Sequence, residues 1–212
     1  NVTASGGSLG LANTSGLETL NLYGRSGGFS VSALSTGVTV SDSDTTSNLT
    51  LGYQSVTGSS DAATVTLANV TGAADLTMAG IETITVNSLG ESNSIDVVGT
   101  SATNLTLTGT APLTVGNLNT ATTVKLNKID ASGASGGVTV TTGDMSGLDS
   151  NEVLTVTGGA GKDTLNVGHT TSDMSISAGA GNDTVIAAIS TKDVVSGGDG
   201  IDTLWATASV AA

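Results

Sequence analysis

The sequence has no cysteine, a single proline and only four aromatic residues (one Trp, two Tyr, one Phe) in 212 positions. Without cysteine there is no disulfide framework and no thiolate for a soft metal, which suits a bacterial extracellular protein that does without disulfides. Without aromatics, a conventional globular core built on Phe, Tyr and Trp is not to be expected. Basic residues are equally scarce: five Lys and Arg stand against 18 Asp and Glu, a net charge of −13. Phosphate backbones are bound by clusters of Lys and Arg, so nucleic acid is not an expected partner, whereas cations are. No apolar run approaches the roughly 18 residues that a spanning helix needs, so membrane insertion is not expected. The chain opens at Asn1 with neither Met nor a signal-peptide pattern, and reads as a fragment of something longer.

What is present is Val, Leu, Ile and Ala set among Thr, Ser and 30 glycines, with 37% apolar and 11% charged residues. A disordered acidic tail would be richer in charge and poorer in apolar residues. The apolar residues fall into triplets of the form apolar–x–apolar. Examples are Leu20-Asn21-Leu22, Phe29-Ser30-Val31, Leu49-Thr50-Leu51, Ile84-Thr85-Val86, Leu105-Thr106-Leu107, Val124-Lys125-Leu126, Val138-Thr139-Val140 and Leu165-Asn166-Val167. Period-two alternation over a few residues is a short half-buried strand, and the Gly, Ser, Asn and Asp between triplets are turn formers. Strands this short bury little singly but form a continuous core when stacked at a fixed repeat, which is the logic of a β-solenoid. An antiparallel sandwich also has short strands at such spacing, but it usually buries larger aromatics. The expected fold is therefore all-β, a parallel β-solenoid or β-roll, in one body with a compositional change near residue 150. Residues 1–150 read as a ladder and 151–212 as its continuation. The gaps Tyr53 to Asp61 and Ile129 to Gly137 read as protruding loops, and the echo of Gly16-Leu17-Glu18-Thr19 in Gly80-Ile81-Glu82-Thr83 reads as two equivalent strand starts.

One stretch recurs in register. Gly158-Gly159-Ala160-Gly161-Lys162-Asp163-Thr164-Leu165-Asn166 returns as Ala178-Gly179-Ala180-Gly181-Asn182-Asp183-Thr184-Val185-Ile186. After a nearly equal step it returns again as Gly197-Gly198-Asp199-Gly200-Ile201-Asp202-Thr203-Leu204-Trp205. A two-strand coil takes roughly 18 to 20 residues, which matches these steps, so the copies stack one above another at ~4.8 Å. Glycine permits positive φ and outward carbonyls. These carbonyls, with the Asp carboxylates, give a set of hard oxygen donors without nitrogen or sulfur, which is a Ca2+ preference. Stacked carboxylates ~5 Å apart repel by about 3 kcal/mol per pair at an effective dielectric near 20, and a divalent cation reverses that sign. The candidate ligating positions are Gly158, Gly159, Ala160, Gly161 and Asp163; Gly179, Ala180, Gly181 and Asp183; and Gly197, Gly198, Asp199, Gly200 and Asp202. Asp183, in the middle copy, is expected to face both neighbours. On the opposite edge Asp173 and Asp193, one repeat apart, are a weaker pair in turns that lack the glycine pattern.

The nonapeptide resembles the signature of bacterial RTX (repeat-in-toxin) proteins. The rest of the chain is similar in style to RTX-type bacterial S-layer proteins such as that of Caulobacter, through its Thr/Ser/Ala/Gly-rich ladder and the segments "GLETLNL", "GIETITV" and "NLTLTGTAPLTV" running into "LTVTGGAGKDTLNVG". The resemblance implies secretion by a type I system, calcium binding outside the cell and self-association into a surface lattice. It also implies attachment to cell-surface polysaccharide through another part of the full-length protein. Ladder acids such as Asp42, Asp44, Asp61 and Asp75 are the candidates for calcium bridging between subunits. The sequence ends at Ala212 without a recognisable secretion signal. No nucleophile–base–acid set supports an enzyme: His169 is the only histidine, and H-E-x-x-H does not occur. The alternatives are an adhesin stalk or extender, or the calcium roll of a larger type I-secreted hydrolase. Thr-x-Thr segments suggest ice binding but are too irregularly spaced for a flat array.

Overall fold

The structure, a computed structural model, describes residues 6–99, 101–116, 118, 126–143, 145, 148, 151–168 and 172–208. The triplets lie on short strands that alternate between two sheets. One sheet holds β1 (Gly7–Gly10), β3 (Phe29–Leu34), β5 (Leu49–Tyr53), β7 (Ala74–Ala79), β9 (Asn93–Val98), β11 (Leu113–Gly116), β13 (Val138–Thr141), β15 (Thr164–Val167), β17 (Thr184–Ile189) and β19 (Thr203–Ala208). The other holds β2 (Thr19–Tyr23), β4 (Thr39–Thr45), β6 (Ala62–Val70), β8 (Thr83–Leu89), β10 (Asn104–Gly109), β12 (Lys128–Ala134), β14 (Val153–Thr157), β16 (Asp173–Ala180) and β18 (Val194–Asp199). Each strand pairs in parallel with the strand two before and two after it, so the chain is a parallel β-solenoid of about nine coils. The antiparallel sandwich is excluded.

Alternation places the first and third residues of each triplet inside. Equivalent side chains then stack in columns: Ala63, Ile84, Leu105, Ile129, Val156, Ile176 and Val195 are consecutive partners across one sheet. Val140, Leu165, Val185 and Leu204 do the same across the other. The interior between the sheets is filled by Leu, Ile, Val, Met and Ala with Phe29 as its one buried aromatic among the described residues. A buried side chain of the larger aliphatic types contributes about 1.5–3 kcal/mol, so the thin core works by repetition. Both columns and both sheets pass residue 150 without interruption.

The step from a strand to its partner is not the uniform coil length expected. It is short from Thr184 to Thr203 and from Ser175 to Val194, and markedly longer from Lys128 to Thr155 and from Leu49 to Leu76. The surplus sits between strands, including 54–61, which is the loop anticipated between Tyr53 and Asp61. The anticipated loop between Ile129 and Gly137 is a correction: Lys128–Ala134 is β12, paired with β10 through a register change between Thr106 and Thr108. Its small residues (Ala131, Ser132, Gly133, Ala134) hide the apolar alternation, although Ala131 and Ala134 are buried. The triplet Val124-Lys125-Leu126 falls mostly outside the described residues. Gly16 and Gly80 both take positive φ (69° and 77°) just before β2 and β8, so the two echoing segments are indeed equivalent strand starts.

Asp42 is a second correction. It points inward and is buried against Arg25, whose Nε donates to Oδ1 at 2.9 Å and Nη2 to Oδ2 at 2.5 Å. The guanidinium also donates to the Asn48 and Ser47 carbonyls at 3.0 Å. A carboxylate so enclosed cannot bridge subunits. Asp44, Asp61 and Asp75 remain at or near the surface, where Asp44 accepts from Asn69 and Asp75 from Asn48.

Removing one member of a buried, bidentate pair strands the other charge, at a cost of about 3–5 kcal/mol. Asp42→Ala is therefore expected to abolish amide-exchange protection in β2 to β5 first, while Asp44→Asn, which keeps a side chain suited to the positive φ of that position (53°), leaves it within about 0.5 kcal/mol of wild type. Equal effects of the two substitutions would contradict the assigned geometry.

Candidate metal centre

The three nonapeptide turns lie on one edge of the solenoid, where the chain passes from β14 to β15, from β16 to β17 and from β18 to β19. The register aligns Thr164, Thr184 and Thr203, and so stacks Asp163, Asp183 and Asp202 immediately before them. Each aspartate is tied to the coil before it. Asp202 Oδ1 accepts the Asp183 N–H at 3.0 Å, Asp183 Oδ1 accepts the Asp163 N–H at 2.8 Å, and Asp163 Oδ1 accepts the Val138 N–H at 2.7 Å. Asp163 Oδ2 accepts in addition the Gly159 N–H at 2.6 Å. Asp163 and Asp183 are buried, whereas Asp202 is half-buried.

The glycines are dictated by the stack. Gly179, Gly181, Gly198 and Gly200 take φ of 106°, 137°, 99° and 133°, which only glycine adopts readily. A Cβ on Gly179 or Gly181 would strike the carbonyl oxygen of Gly159 or Gly161. One on Gly198 or Gly200 would strike that of Gly179 or Gly181. These carbonyls thus point from one turn towards the next. The first copy differs from the expectation of positive φ throughout: Gly158, Gly159 and Gly161 have none, and their lack of a side chain serves close approach instead, to Asp163 and Ala178, to Ala134 and to Gly137 respectively. Gly158 N–H donates to Ser177 O at 2.7 Å, Ala160 N–H to Ala134 O at 3.0 Å, Ala180 N–H to Gly159 O at 2.9 Å, and Gly181 N–H to Asp199 O at 2.8 Å. Gly197 is crowded by the Asp202 carboxylate, and the Asp199 side chain is exposed.

Three residues outside the expected set join the edge. Asn182 Oδ1 accepts the Ile201 N–H at 2.9 Å, linking the second and third turns. The turn Gly136-Gly137 before β13 lies beneath the first copy. Its signal in the sequence is a glycine pair just ahead of the triplet Val138-Thr139-Val140, without the aspartate.

Does this set fit calcium? Asp183 Oδ2 is buried and has no hydrogen-bond partner, a costly state for a carboxylate oxygen unless a cation meets it. No three carboxylate or imidazole side chains converge among the described residues, so the remaining donors are backbone carbonyls. Hard, all-oxygen and carbonyl-rich, the set suits Ca2+. The model of the RTX calcium-binding nonapeptide repeat (four copies) matches residues 155–168, 175–189 and 190–209. These coils carry RTX calcium-binding repeats. No curated protein matches the chain. On the opposite edge Asp193 Oδ1 accepts the Met174 N–H at 2.7 Å and Oδ2 the Ser190 N–H at 2.5 Å, so it caps its own turn and the coil before it. Asp173 begins β16, and His169 lies outside the described residues.

Calcium removal is expected to loosen residues 152–205 before the ladder, as hydrogen exchange with and without chelator measures; equal protection in both would count against the site. Burial, with a smaller contribution from the neighbouring carboxylate, raises the pKa of Asp163 and of Asp183 above the usual carboxylate value, although the backbone N–H bonds oppose it. A folded pKa above the unfolded one means stability that is present below the unfolded value near 4 and lost as pH rises through the folded value. In chelator, the roll is therefore expected to gain thermal stability as pH falls from 7 towards 4.5. In saturating calcium the trend reverses, because protons displace the ion. Loss of stability on acidification in chelator would show that both carboxylates are held ionised without metal.

Proposed function

We propose that the chain is a calcium-dependent structural protein of a bacterial surface layer, in which Ca2+ rigidifies the terminal coils and promotes assembly of a lattice. The observation that carries this reading is the unbroken pairing of the calcium turns with a much longer ladder: the column Ala63 to Val195 runs through both. Ions that order the repeat coils thereby stiffen the ladder with which those coils are continuous. A calcium roll appended to a hydrolase would have no need of so long a ladder. Secretion by a type I route, an extracellular position and anchoring to cell-surface polysaccharide through another part of the protein belong to the same proposal. The rod-like stacking favours one other reading, an adhesin stalk or extender.

Electron microscopy of the chain in calcium and in chelator separates the two, with ordered sheets expected in calcium; isolated rods in both conditions would favour the stalk. Calcium bridging through surface acids such as Asp44, Asp61 and Asp75 is expected to need more calcium than folding does. Circular dichroism and light scattering followed in one titration should show two midpoints, and a single coincident transition would count against lattice bridging.

A further inference from the structure

The three repeat aspartates share a motif position but not a chemical environment. Asp163 is fully buried with both oxygens occupied by backbone N–H groups, from Val138 in the coil before and from Gly159 in its own turn. Asp183 is equally enclosed, yet only Oδ1 is engaged and Oδ2 has no partner. The turns differ to match. The second and third have positive φ at their second and fourth positions, both of which face carbonyl oxygens from the preceding turn; the first has no positive φ and faces such an oxygen, Ala134 O, only at its second position. Beneath the first turn Val138, not an aspartate, is the residue in register, and Gly159 and Gly161 pack directly on the backbone of Ala134 and Gly137.

All three carboxylates reach the same way, back towards the preceding coil. An ion between the first and second turns would therefore draw on Asp183, and one between the second and third on Asp202. Asp163 addresses the junction with the ladder, where two amide hydrogens direct their positive ends at its oxygens and leave no reason for a cation. The same double acceptance occurs where there is no glycine cage at all. Asp193 takes one N–H from the coil before (Met174) and one from its own turn (Ser190). Asn93 Oδ1 likewise accepts the Val70 N–H at 2.8 Å within the ladder. Such a side chain closes the hydrogen-bond ladder at a turn, without metal.

We propose that Asp163 is a structural fastener, not a calcium ligand: it joins the first repeat turn to the ladder independently of metal, and calcium is held only beyond it, one ion drawing on Asp183 and the next on Asp202. This rests on the calcium reading of the repeats and replaces the symmetrical expectation that Asp183 serves two ions and Asp163 one.

The test compares D163N, D183N and D202N with the wild-type chain by calcium calorimetry and by hydrogen exchange in chelator. Asp183→Asn and Asp202→Asn should each remove one site, and Asp163→Asn none. In chelator, Asp163→Asn should raise exchange at Val138 and Gly159 at least tenfold, whereas Asp183→Asn should leave these amides unchanged. Should the Asp163 variant not fold, carboxyl-carbon NMR of the wild-type chain during calcium titration gives the same answer: the Asp183 and Asp202 signals shift and that of Asp163 stays. Loss of a site in Asp163→Asn, or a calcium-dependent shift of its carboxyl carbon, would overturn the assignment. A wild-type chain that takes up no calcium would instead remove the calcium reading on which it rests.

Discussion

Every coil of this solenoid depends on its neighbours for backbone hydrogen bonds. Each short strand has few partners within its own coil; its N–H and C=O groups are met by the strands two before and two after it. Parallel stacking at ~4.8 Å then sets like against like, so that aliphatic columns form inside and turns superpose on turns. Proline is almost absent for the same reason, since each missing N–H would break a ladder; Pro112 precedes β11, and its carbonyl accepts the Asn93 N–H.

The constraint is hardest to meet at the edges, where the chain turns and the regular ladder lapses. Side-chain oxygens take over there. Asp163, Asp183 and Asp202 on one edge, Asp193 on the other and Asn93 within the ladder all accept a backbone N–H from the preceding coil. The calcium turns are thus a specialised form of a device that the whole solenoid uses. What sets them apart is a pair of glycines two residues apart at positive φ, Gly179 with Gly181 and Gly198 with Gly200, stacked on carbonyls of the coil before, and a carboxylate oxygen left without a protein donor. A cation then does for these oxygens what an N–H does elsewhere. The buried pair Arg25–Asp42 solves the same problem differently, with a guanidinium that reaches the Asn48 and Ser47 carbonyls just before β5.

Most strands were legible from the residues alone, because an apolar–x–apolar triplet is visible whenever its members are large: Leu20, Val31, Leu49, Ile84 and Leu165 are all buried where alternation puts them. The calcium chemistry was legible too, since glycines and an aspartate recurring at the length of one coil have few other uses. Residues whose role is set by a neighbour in space were beyond that reach. β12 was concealed because Ala131 and Ala134 are too small to mark a face, and only pairing with β10 and β14 defines it. The inward turn of Asp42 depended on Arg25, which lies in a different coil and has no periodic significance. The three repeat aspartates look interchangeable in sequence. What separates them is the residue stacked beneath each one, Val138 under Asp163 but an aspartate under Asp183 and Asp202, and the conformation of the turn it closes; both are properties of adjacent coils, which only folding brings together.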